Sequence, residues 1–412
     1  MHLTHLSLKN FRNYVRLELE LSPGVVVIVG NNAQGKSNLL EAIYFLATAK
    51  SFRASNDREL INWLAADTDT PFAYLLAKVE KEHANLRIEI AIKEEARKEN
   101  GANGATMPAV SKRIRTNNVA RRAIDLIGLA NVVMFSPQDI DLIQGAPQMR
   151  RRYLDVTISQ VDPRYCRSLA HYNKVLIQRN HLLRQIREKH ARPDQLLFWD
   201  QELVSAGAYV ILQRLVTVSA LNELTFGIHR GLTGSQERFH TVCRLNLDVA
   251  AGANLAETLH GELARATPEA RIGAIAEVFK RKLAQFQPRE IAYGMSLLGP
   301  HRDDLAFVVD DREVSLYGSR GQQRTVALSL KMAEAEFMRS RTGEEPILLL
   351  DDVTSELDAE RRSYVLESIK ERQQVLVTTS DLHAFDADFL AKSLLLRVEN
   401  GAIEPVNLAT LS

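Results

Sequence analysis

Residues 30–37 read Gly-Asn-Asn-Ala-Gln-Gly-Lys-Ser, a complete G-x-x-x-x-G-K-[ST] phosphate-binding loop. The β-branched run at 25–29 precedes the loop and predicts a buried strand, and residues 38–46 have the apolar stripe of a helix. The glycines let backbone N–H groups face phosphate oxygens at the positive end of that helix. This stretch predicts an α/β fold that binds a nucleoside triphosphate.

The whole loop supplies the candidate nucleotide-binding residues. They are Gly30, Asn31, Asn32, Ala33, Gln34, Gly35, Lys36 and Ser37. We expect Lys36 to place its charge at the β- and γ-phosphates and to assist catalysis there. The Ser37 hydroxyl is the expected protein ligand of Mg²⁺.

Composition narrows the class of protein. The 412 residues are 45% hydrophobic and 25% charged, which is typical of a globular chain of two or three domains. The net charge of +1 carries no information about partners. Cys166 and Cys243 lie far apart, which excludes a disulfide scaffold and a recognisable zinc motif. We see no signal peptide and no apolar run near the ~20 residues of a membrane span, so we expect a cytoplasmic protein without a membrane partner.

Pattern changes along the chain predict a nucleotide-binding domain split by a mainly helical insertion. The predicted parts are 1–150 with the phosphate loop, 151–290 as the helical arm, and 291–412 as the second part of the nucleotide-binding domain. The main predicted elements are a hairpin at 71–93, a polar break at 94–111, strands at 305–309, 347–350 and 375–379, and helices at 321–340 and 359–372.

Residues 346–352 form an apolar strand that ends in two carboxylates, the pattern of a Walker B motif. Asp351 is the candidate metal-side carboxylate, and Asp352 is the candidate base that orients or deprotonates the attacking water. An apolar strand that ends at an ordinary turn would give the same pattern, but a triphosphate site with Mg²⁺ needs such a carboxylate beside the loop.

A second set of polar residues lies around the Walker B strand. The S-x-G-Q stretch Ser319, Arg320, Gly321 and Gln322, which we call the signature, precedes a predicted helix and could face an anion. Ser355 and Asp358 open the helix after Walker B. Ordinary helix capping is the alternative explanation for both stretches.

The order of phosphate loop, signature, Walker B and S-x-L-D resembles the ABC-type ATPases. In that family two heads sandwich ATP, and the signature of one protomer meets the loop of the other. The stretch between Lys36 and Ser319 is longer than in transporter subunits and resembles the inserted arms of DNA-repair and chromosome-organising ATPases. It has neither a long heptad array nor a CxxC hook.

Nearly the whole chain resembles the RecF family of bacterial recombination mediators. The matching stretches are 8–14, 30–40, 49–53, 135–139, 150–155, 299–304, 319–331 and 348–358. The resemblance implies an ABC-type P-loop ATPase head, with mixed sheets and flanking helices, split by a helical insertion. It also implies a DNA-stimulated ATPase that dimerises with ATP and Mg²⁺ on double-stranded DNA or at junctions with single strands. We expect its hydrolysis to be slow, because Asp352 is one methylene shorter than a glutamate base and reaches the water less well. The implied partners are RecR and RecO, in the loading of RecA.

Three further assignments follow from these resemblances. Arg12 could approach the nucleotide, although an arginine bracing the first strand is the alternative. Gln138 occupies the position of the Q-loop residue, where an ordinary polar loop residue is the alternative. The γ-phosphate sensor, expected near Thr379 and Ser380, cannot be assigned.

Residues 301–304 read His-Arg-Asp-Asp, as in the kinase catalytic loop, but the other kinase motifs are absent from the sequence. We therefore expect a structural or allosteric role for this stretch.

Two basic stretches are candidates for DNA contact. The first contains Lys112, Arg113, Arg115, Arg121 and Arg122 with no acidic residue, and the second, at 150–192, includes Arg184 and Arg187. Solvated faces with internal salt bridges are the alternative. We favour the first stretch because it lies in the nucleotide-binding half.

Two other classes of protein remain as alternatives. One is a different DNA-associated ABC ATPase, such as a short SMC-like head. The other is a P-loop kinase or a transporter ATPase subunit, neither of which would respond to DNA.

Overall fold

A computed structural model describes residues 1–66, 70–95, 110–234, 237–247, 255, 265–353 and 357–406. The chain divides into two compact units, Met1–Asp139 with Glu334–Ser412, and Ile140–Ala333. Residues 140–150 and 291–333, which the sequence patterns assign to the nucleotide-binding domain, therefore group with the helical insertion. One cause is local packing, since the Tyr153 hydroxyl donates to the Leu330 carbonyl at 3.3 Å.

The strands are β1 His2–Phe11, β2 Tyr14–Glu20, β3 Gly24–Val29, β4 Phe72–Glu80, β5 Asn85–Glu94, β6 Val110–Thr116, β7 Val119–Arg121, β8 Val132–Phe135, β9 Phe239–Arg244, β10 Asp304–Val309, β11 Arg312–Glu313, β12 Ile347–Asp351, β13 Gln374–Thr379, β14 Leu394–Glu399 and β15 Ala402–Pro405. The helices are α1 Lys36–Thr48, α2 Trp63–Ala66, α3 Ala123–Leu126, α4 Ile140–Gln144, α5 Pro147–Val161, α6 Pro163–Arg187, α7 Leu196–Thr233, α8 Pro268–Tyr293, α9 Val314–Tyr317, α10 Arg320–Thr342, α11 Ala359–Ile369 and α12 Ala387–Ala391.

A six-stranded, mostly parallel sheet forms the centre of the first unit. Its order is β15-β14-β3-β13-β12-β8, and only β15 runs antiparallel to its neighbour. The inner strands are runs of Val, Ile and Leu because both faces of the sheet are covered. The carboxyl ends of β3, β13, β12 and β8 meet at one edge, which is where ligands bind in such sheets.

The first unit also contains an antiparallel sheet of order β2-β1-β4-β5-β6-β7. Helix α1 packs into a core that side chains of both sheets share, with Leu39, Leu40 and Phe45 buried. The predicted hairpin at 71–93 is confirmed as β4 and β5. Most of the predicted polar break, residues 96–109, lies outside the described residues.

The second unit is mainly helical, as predicted. Helices α6, α7 and α8 pack around Tyr172, Ile211 and Phe279. A three-stranded antiparallel sheet of order β11-β10-β9 adjoins them, and its β9 strand was not predicted. Its turn between β10 and β11 uses two aspartates with positive φ, as the Asp310-Asp311 pair indicated.

The segment Pro193–Thr233 is long and apolar enough to cross a membrane by length and composition alone. The sequence patterns did not indicate it because Arg214 and other polar residues interrupt the apolar run. In the structure, 72% of its most apolar window is buried. These side chains, such as Leu203 and Ile211, belong to the core of the second unit.

Candidate nucleotide site

Strand β3, the loop and helix α1 follow one another as predicted. Gly35 caps the helix with a φ of 121°, a conformation that residues with a side chain rarely adopt. A Cβ at Gly35 would lie 2.5 Å from Nδ2 of Asn13, and one at Gly30 would lie 2.5 Å from the carbonyl oxygen of Val398. Both fixed glycines of the motif are therefore required by close packing around the loop.

Lys36 folds back beneath the loop. Its Nζ donates to the carbonyl oxygens of Gly30 at 2.6 Å and Asn31 at 3.0 Å. Burial lowers the pKa of Lys36, and the charges of Asp352 and Asp351 oppose that shift. The ammonium thus lies near both Walker B carboxylates, where it can turn toward a bound phosphate.

The two halves of the site meet at Ser37 and Asp351. The Ser37 hydroxyl donates to Oδ1 of Asp351 at 2.8 Å, and the Thr378 hydroxyl donates to the same oxygen at 2.9 Å. Thr378 is opposite Asp351 in the parallel pairing of β12 and β13. Sequence reasoning placed the sensor near Thr379 and Ser380 and gave no role to Thr378 in the same stretch, because only the pairing of β12 with β13 brings Thr378 to Asp351.

The Ser37–Asp351 pair fits a magnesium site. Octahedral Mg²⁺ with bonds of about 2.0–2.1 Å has adjacent ligand oxygens about 3 Å apart, close to the observed 2.8 Å. No cluster of three His, Cys, Asp or Glu residues that could hold a metal is found in the described part of the chain. One carboxylate and one hydroxyl suffice where phosphate oxygens and water supply the other ligands.

Asp352 occupies a fixed turn just beyond the end of β12. Its φ is 51°, which an aspartate tolerates better than most residues. Its backbone N–H donates to the Thr378 hydroxyl at 3.0 Å. Thr378 thus holds the Asp351 carboxylate through its proton and the Asp352 backbone through its oxygen.

The first hairpin and the last hairpin hold the phosphate loop from outside. Asn13 Nδ2 donates to the Gln34 carbonyl at 2.8 Å, and Asn38 Nδ2 donates to Asn13 Oδ1 at 2.8 Å. The Tyr14 hydroxyl donates to the Gly35 carbonyl at 3.0 Å, and the backbone N–H of Asn400 donates to Gln34 Oε1 at 2.7 Å. Sequence reasoning gave Asn13, Tyr14 and Asn400 no role, although Asn13 and Tyr14 lie in a stretch that resembles the RecF family.

Arg12 is engaged within the first unit. Its Nε and one terminal nitrogen each donate to Glu41 at 2.8 Å, and its other terminal nitrogen donates to the Glu59 carbonyl at 2.8 Å. Glu41 is fully buried on α1 and also accepts from the Ser51 hydroxyl. This geometry matches the bracing alternative, and a nucleotide contact by Arg12 stays a prediction.

Gln138 is exposed on the single turn Pro137–Asp139 that follows β8. Strand β8 ends beside β12, with Phe135 opposite Leu350, so Gln138 is near the edge of the sheet that carries the Walker B carboxylates. The Thr379 hydroxyl donates to the Asp381 carbonyl at 2.8 Å, and Ser380 is exposed. Neither hydroxyl identifies a γ-phosphate sensor.

The signature lies in the second unit and caps α10. The backbone N–H of Ser319 donates to Gln322 Oε1 at 3.0 Å, and the backbone N–H of Gln322 donates to the Ser319 hydroxyl oxygen at 3.2 Å. The structure therefore contains the hydrogen bonds that the helix-capping explanation requires. Because the Ser319 oxygen accepts, its proton remains available to a further acceptor. Ser319, Arg320 and Gly321 are exposed.

The helix after Walker B is also capped. Asp358 accepts from the backbone N–H of Arg361 at 2.9 Å and pairs with the Arg361 side chain at 2.6 Å. Ser355, the other residue predicted there, lies outside the described residues.

The first basic stretch lies on β6, β7 and the start of α3. Lys112 is directed inward, donating to the Ala49 carbonyl at 2.8 Å and pairing with Asp57 at 2.7 Å. Arg122 pairs with Asp125 at 2.8 Å, and Arg121 donates to Thr116 at 3.2 Å. Arg113 and Arg115 are exposed and alternate along β6, so both project from the outer face of the antiparallel sheet.

Within the second basic stretch, Arg184 and Arg187 lie in the last turn of α6. Arg184 donates to the Asn180 carbonyl and Arg187 to the Tyr293 carbonyl, each at 3.2 Å. Favourable interaction with the carbonyl end of the helix explains their position without a ligand.

The His-Arg-Asp-Asp stretch is part of the packing of the second unit. His301 Nδ1 pairs with the Tyr172 hydroxyl at 2.6 Å, and burial lowers the pKa of His301 to about 4. Asp304 forms a two-bond pair with Arg150 at 2.7 and 3.0 Å, and buried Asp303 lies 3.5 Å from Arg214. This packing matches a structural role, one of the two roles, structural or allosteric, that the sequence predicts.

Comparison with known proteins decides the family. The model described as RecF/RecN/SMC N terminal domain matches residues 2–395. A DNA replication and repair protein RecF from Chloroflexus aurantiacus is 43% identical over 410 residues, covering 98% of this chain and 99% of the relative. The chain belongs to the RecF family. RecF from Roseiflexus castenholzii is 46% identical, with 98% of this chain and all of the relative covered.

Solved structures agree with this RecF assignment. A structure of the recombination mediator protein RecF with ATP, described as part of the RecFOR pathway, has a TM-score of 0.80 and 31% identity, covering 98% of each chain. An Smc head structure has a TM-score of 0.52 and 15% identity, covering 100% of this chain and 99% of that one, a likeness of fold alone. The predicted ABC-type ATPase fold is confirmed, and the chain belongs to the RecF family of DNA replication and repair proteins.

Proposed function

We propose that this RecF family member is an ATPase whose ATP-bound dimer binds duplex DNA near single-stranded gaps. The observation that carries the proposal is the 2.8 Å bond between Ser37 and Asp351, because it joins the phosphate loop to the Walker B strand. The RecF structure described with ATP supports ATP as the nucleotide.

Nucleotide binding would use polar groups that already lie in or beside the phosphate loop. The N-terminus of α1 and the loop amides would receive the phosphates, and Lys36 would exchange its carbonyl partners for β- and γ-phosphate oxygens. Ser37 and Asp351 would hold Mg²⁺, which neutralises charge on the phosphates during transfer. Gln138 is proposed as a further ligand because it lies near this edge of the sheet.

Hydrolysis would convert ATP and water to ADP and phosphate. The Asp352 carboxylate, held by its turn, would orient the attacking water and accept its proton. An aspartate is one methylene shorter than the glutamate of many related heads and reaches the water less well. We therefore propose a slow reaction that DNA stimulates by favouring the closed dimer.

Gly321 supports completion of the site by a second copy. It lies in the first turn of α10, where glycine costs about 1 kcal/mol relative to alanine. Among the described residues, a Cβ there would meet only the Ser319 hydroxyl oxygen, at 3.9 Å, so the packing of that part of the chain does not require glycine. Close approach of an outside ligand would require it. We propose that the Ser319 hydroxyl and the backbone amides of Arg320 and Gly321 receive the γ-phosphate held by the partner, with Asp358 at the same interface.

DNA contact is proposed for the outer face of the antiparallel sheet. Its pairing places Arg16, Lys9, Tyr74, Ala91 and Arg113 in one row across five strands. Arg115 lies on the same face, next to Arg113 along β6. Exposed cationic side chains at the spacing of neighbouring strands suit contacts to DNA phosphates. Such contacts do not depend on the base sequence of the DNA.

The pathway role is proposed from the family. The related structures are described as recombination mediators in the RecFOR pathway, which supports RecR and RecO as partners and RecA loading as the outcome. A cytoplasmic location follows from that proposal.

Ser319→Arg tests the composite site. A bulky cation would occupy the place of the partner's γ-phosphate, so ATP affinity of the monomer should stay within about twofold while ATP-driven dimerisation is lost. Sedimentation with and without ATP, together with ATP titration, measures both quantities.

A mixture gives the decisive control. Combining Ser319→Arg with Lys36→Ala chains leaves one site with two intact halves, so some ATP-dependent dimer should return that neither variant forms alone. Full dimerisation and hydrolysis by Ser319→Arg by itself would refute completion of the site in trans.

A further inference from the structure

Two large apolar side chains lie on the surface directly before the signature. Helix α9 buries Val314, but Leu316 is 71% exposed and Tyr317 is 74% exposed. Single exposed apolar residues are common, whereas adjacent ones beside a candidate site mark surface that another molecule covers.

The turn that presents them is held in place. The Val314 carbonyl accepts from the backbone N–H of Gly318 at 3.0 Å and from Nε2 of Gln323 at 3.1 Å. Gln323 is buried on the first turn of α10, and its Oε1 accepts from Gln144. A Cβ at Gly318 would lie 2.6 Å from Cγ1 of Val314, so the turn packs tightly. A surface ordered before binding loses little entropy on association, which is typical of strong contact residues.

The position of Leu316 and Tyr317 beside the signature indicates which molecule covers them. Tyr317 precedes Ser319 by two residues, a span of at most about 7 Å. A second copy whose bound nucleotide reaches Ser319 and Gly321 would therefore bring its own surface close to Tyr317. We propose that Leu316 and Tyr317 form an apolar contact with a second copy of this chain, beside the composite nucleotide site. This contact rests on the ATP-bound dimer of the proposed function.

Symmetry sets the size of the expected effect. In a two-fold dimer the same contact occurs twice. Loss of a buried aromatic anchor weakens an interface about tenfold or more, so Tyr317→Ser should weaken dimerisation about hundredfold. Leu316→Ser should act in the same direction. Tyr317→Phe keeps the ring and should restore most of the dimer.

The experiment is sedimentation equilibrium of the full chain with Mg²⁺ and a slowly hydrolysed ATP analogue. Nucleotide affinity is measured separately at concentrations where the chain is monomeric, and it should be unchanged in Tyr317→Ser. Leu197→Ser is the matched control, because Leu197 is 70% exposed at the start of α7, away in sequence from the signature. It should dimerise like the wild type.

The outcomes separate the two proposals. Dimerisation of Tyr317→Ser equal to wild type, while Ser319→Arg stays monomeric, would overturn the contact but keep the composite site. A wild-type chain that stays monomeric with the analogue refutes both. A normal dimer with weakened duplex binding would also overturn the contact and assign the pair to nucleic acid.

Discussion

Arg12→Ala distinguishes the two roles considered for this residue. The substitution leaves Glu41, which is 0% exposed, without its two charge-assisted bonds, and Ser51 remains as a partner. Removing one member of a buried ion pair costs about 3–5 kcal/mol. Because the Arg12 side chain is 22% exposed, we expect the lower end, about 3 kcal/mol. For a unit of roughly two hundred residues this corresponds to a fall in Tm of about 6–12 °C.

Thermal unfolding without nucleotide measures this loss, and Arg16→Ala on the same hairpin is the control that should leave Tm within about a degree. Combining Arg12→Ala with Glu41→Gln should cost less than the sum of the single variants, because the two side chains stabilise each other. An Arg12→Ala chain with unchanged Tm and strongly reduced ATP affinity would refute the brace and support a nucleotide contact.

Three further variants, one of them a double substitution, test the proposed site and the DNA surface. Lys36→Ala should weaken ATP binding at least tenfold in titration calorimetry, because a charge-assisted phosphate contact is worth about 1.5–3 kcal/mol. Wild-type affinity would remove Lys36 from the site. Asp352→Asn should retain Mg·ATP binding while steady-state hydrolysis falls about 10²–10⁴-fold, and an unchanged rate would exclude Asp352 as the base. Charge reversal at Arg113 and Arg115 should weaken duplex binding about equally across sequences. It should also make the slope of log affinity against log salt shallower by about 1.8 if each contacts one phosphate. The matched double reversal at Arg184 and Arg187 should change neither quantity, and the opposite result would move the DNA surface to the arm.

Local patterns predicted the parts of the nucleotide site that depend on short stretches of chain. The strand before the loop, the helix after it and the Walker B strand all stand at the predicted places because buried parallel strands are continuous apolar runs. Thr378 and Asn13 could not be found in this way. Their roles depend on strand pairing and on contacts between distant segments, which periodicity does not encode.

The basic stretch shows a second limit of sequence reasoning. Lys112 and Arg113 are adjacent and alike in charge, yet strand alternation turns Lys112 toward Asp57 and Arg113 outward. A count of basic residues in the sequence is therefore larger than the number of side chains that are exposed for contact with DNA. The domain boundaries depend on packing in the same way, since α5 and most of α10 group with the helical unit.

The pairing of β3 has a consequence for how the chain folds during synthesis. Strand β3, which leads into the phosphate loop, lies between β13 and β14, and both follow the whole second unit in the chain. The second unit is one continuous segment and can fold as it leaves the ribosome. A nascent chain that ends before residue 374 lacks both neighbours of β3 and cannot form the loop's framework. During synthesis the nucleotide site of the protein therefore forms last, after the second unit has already folded.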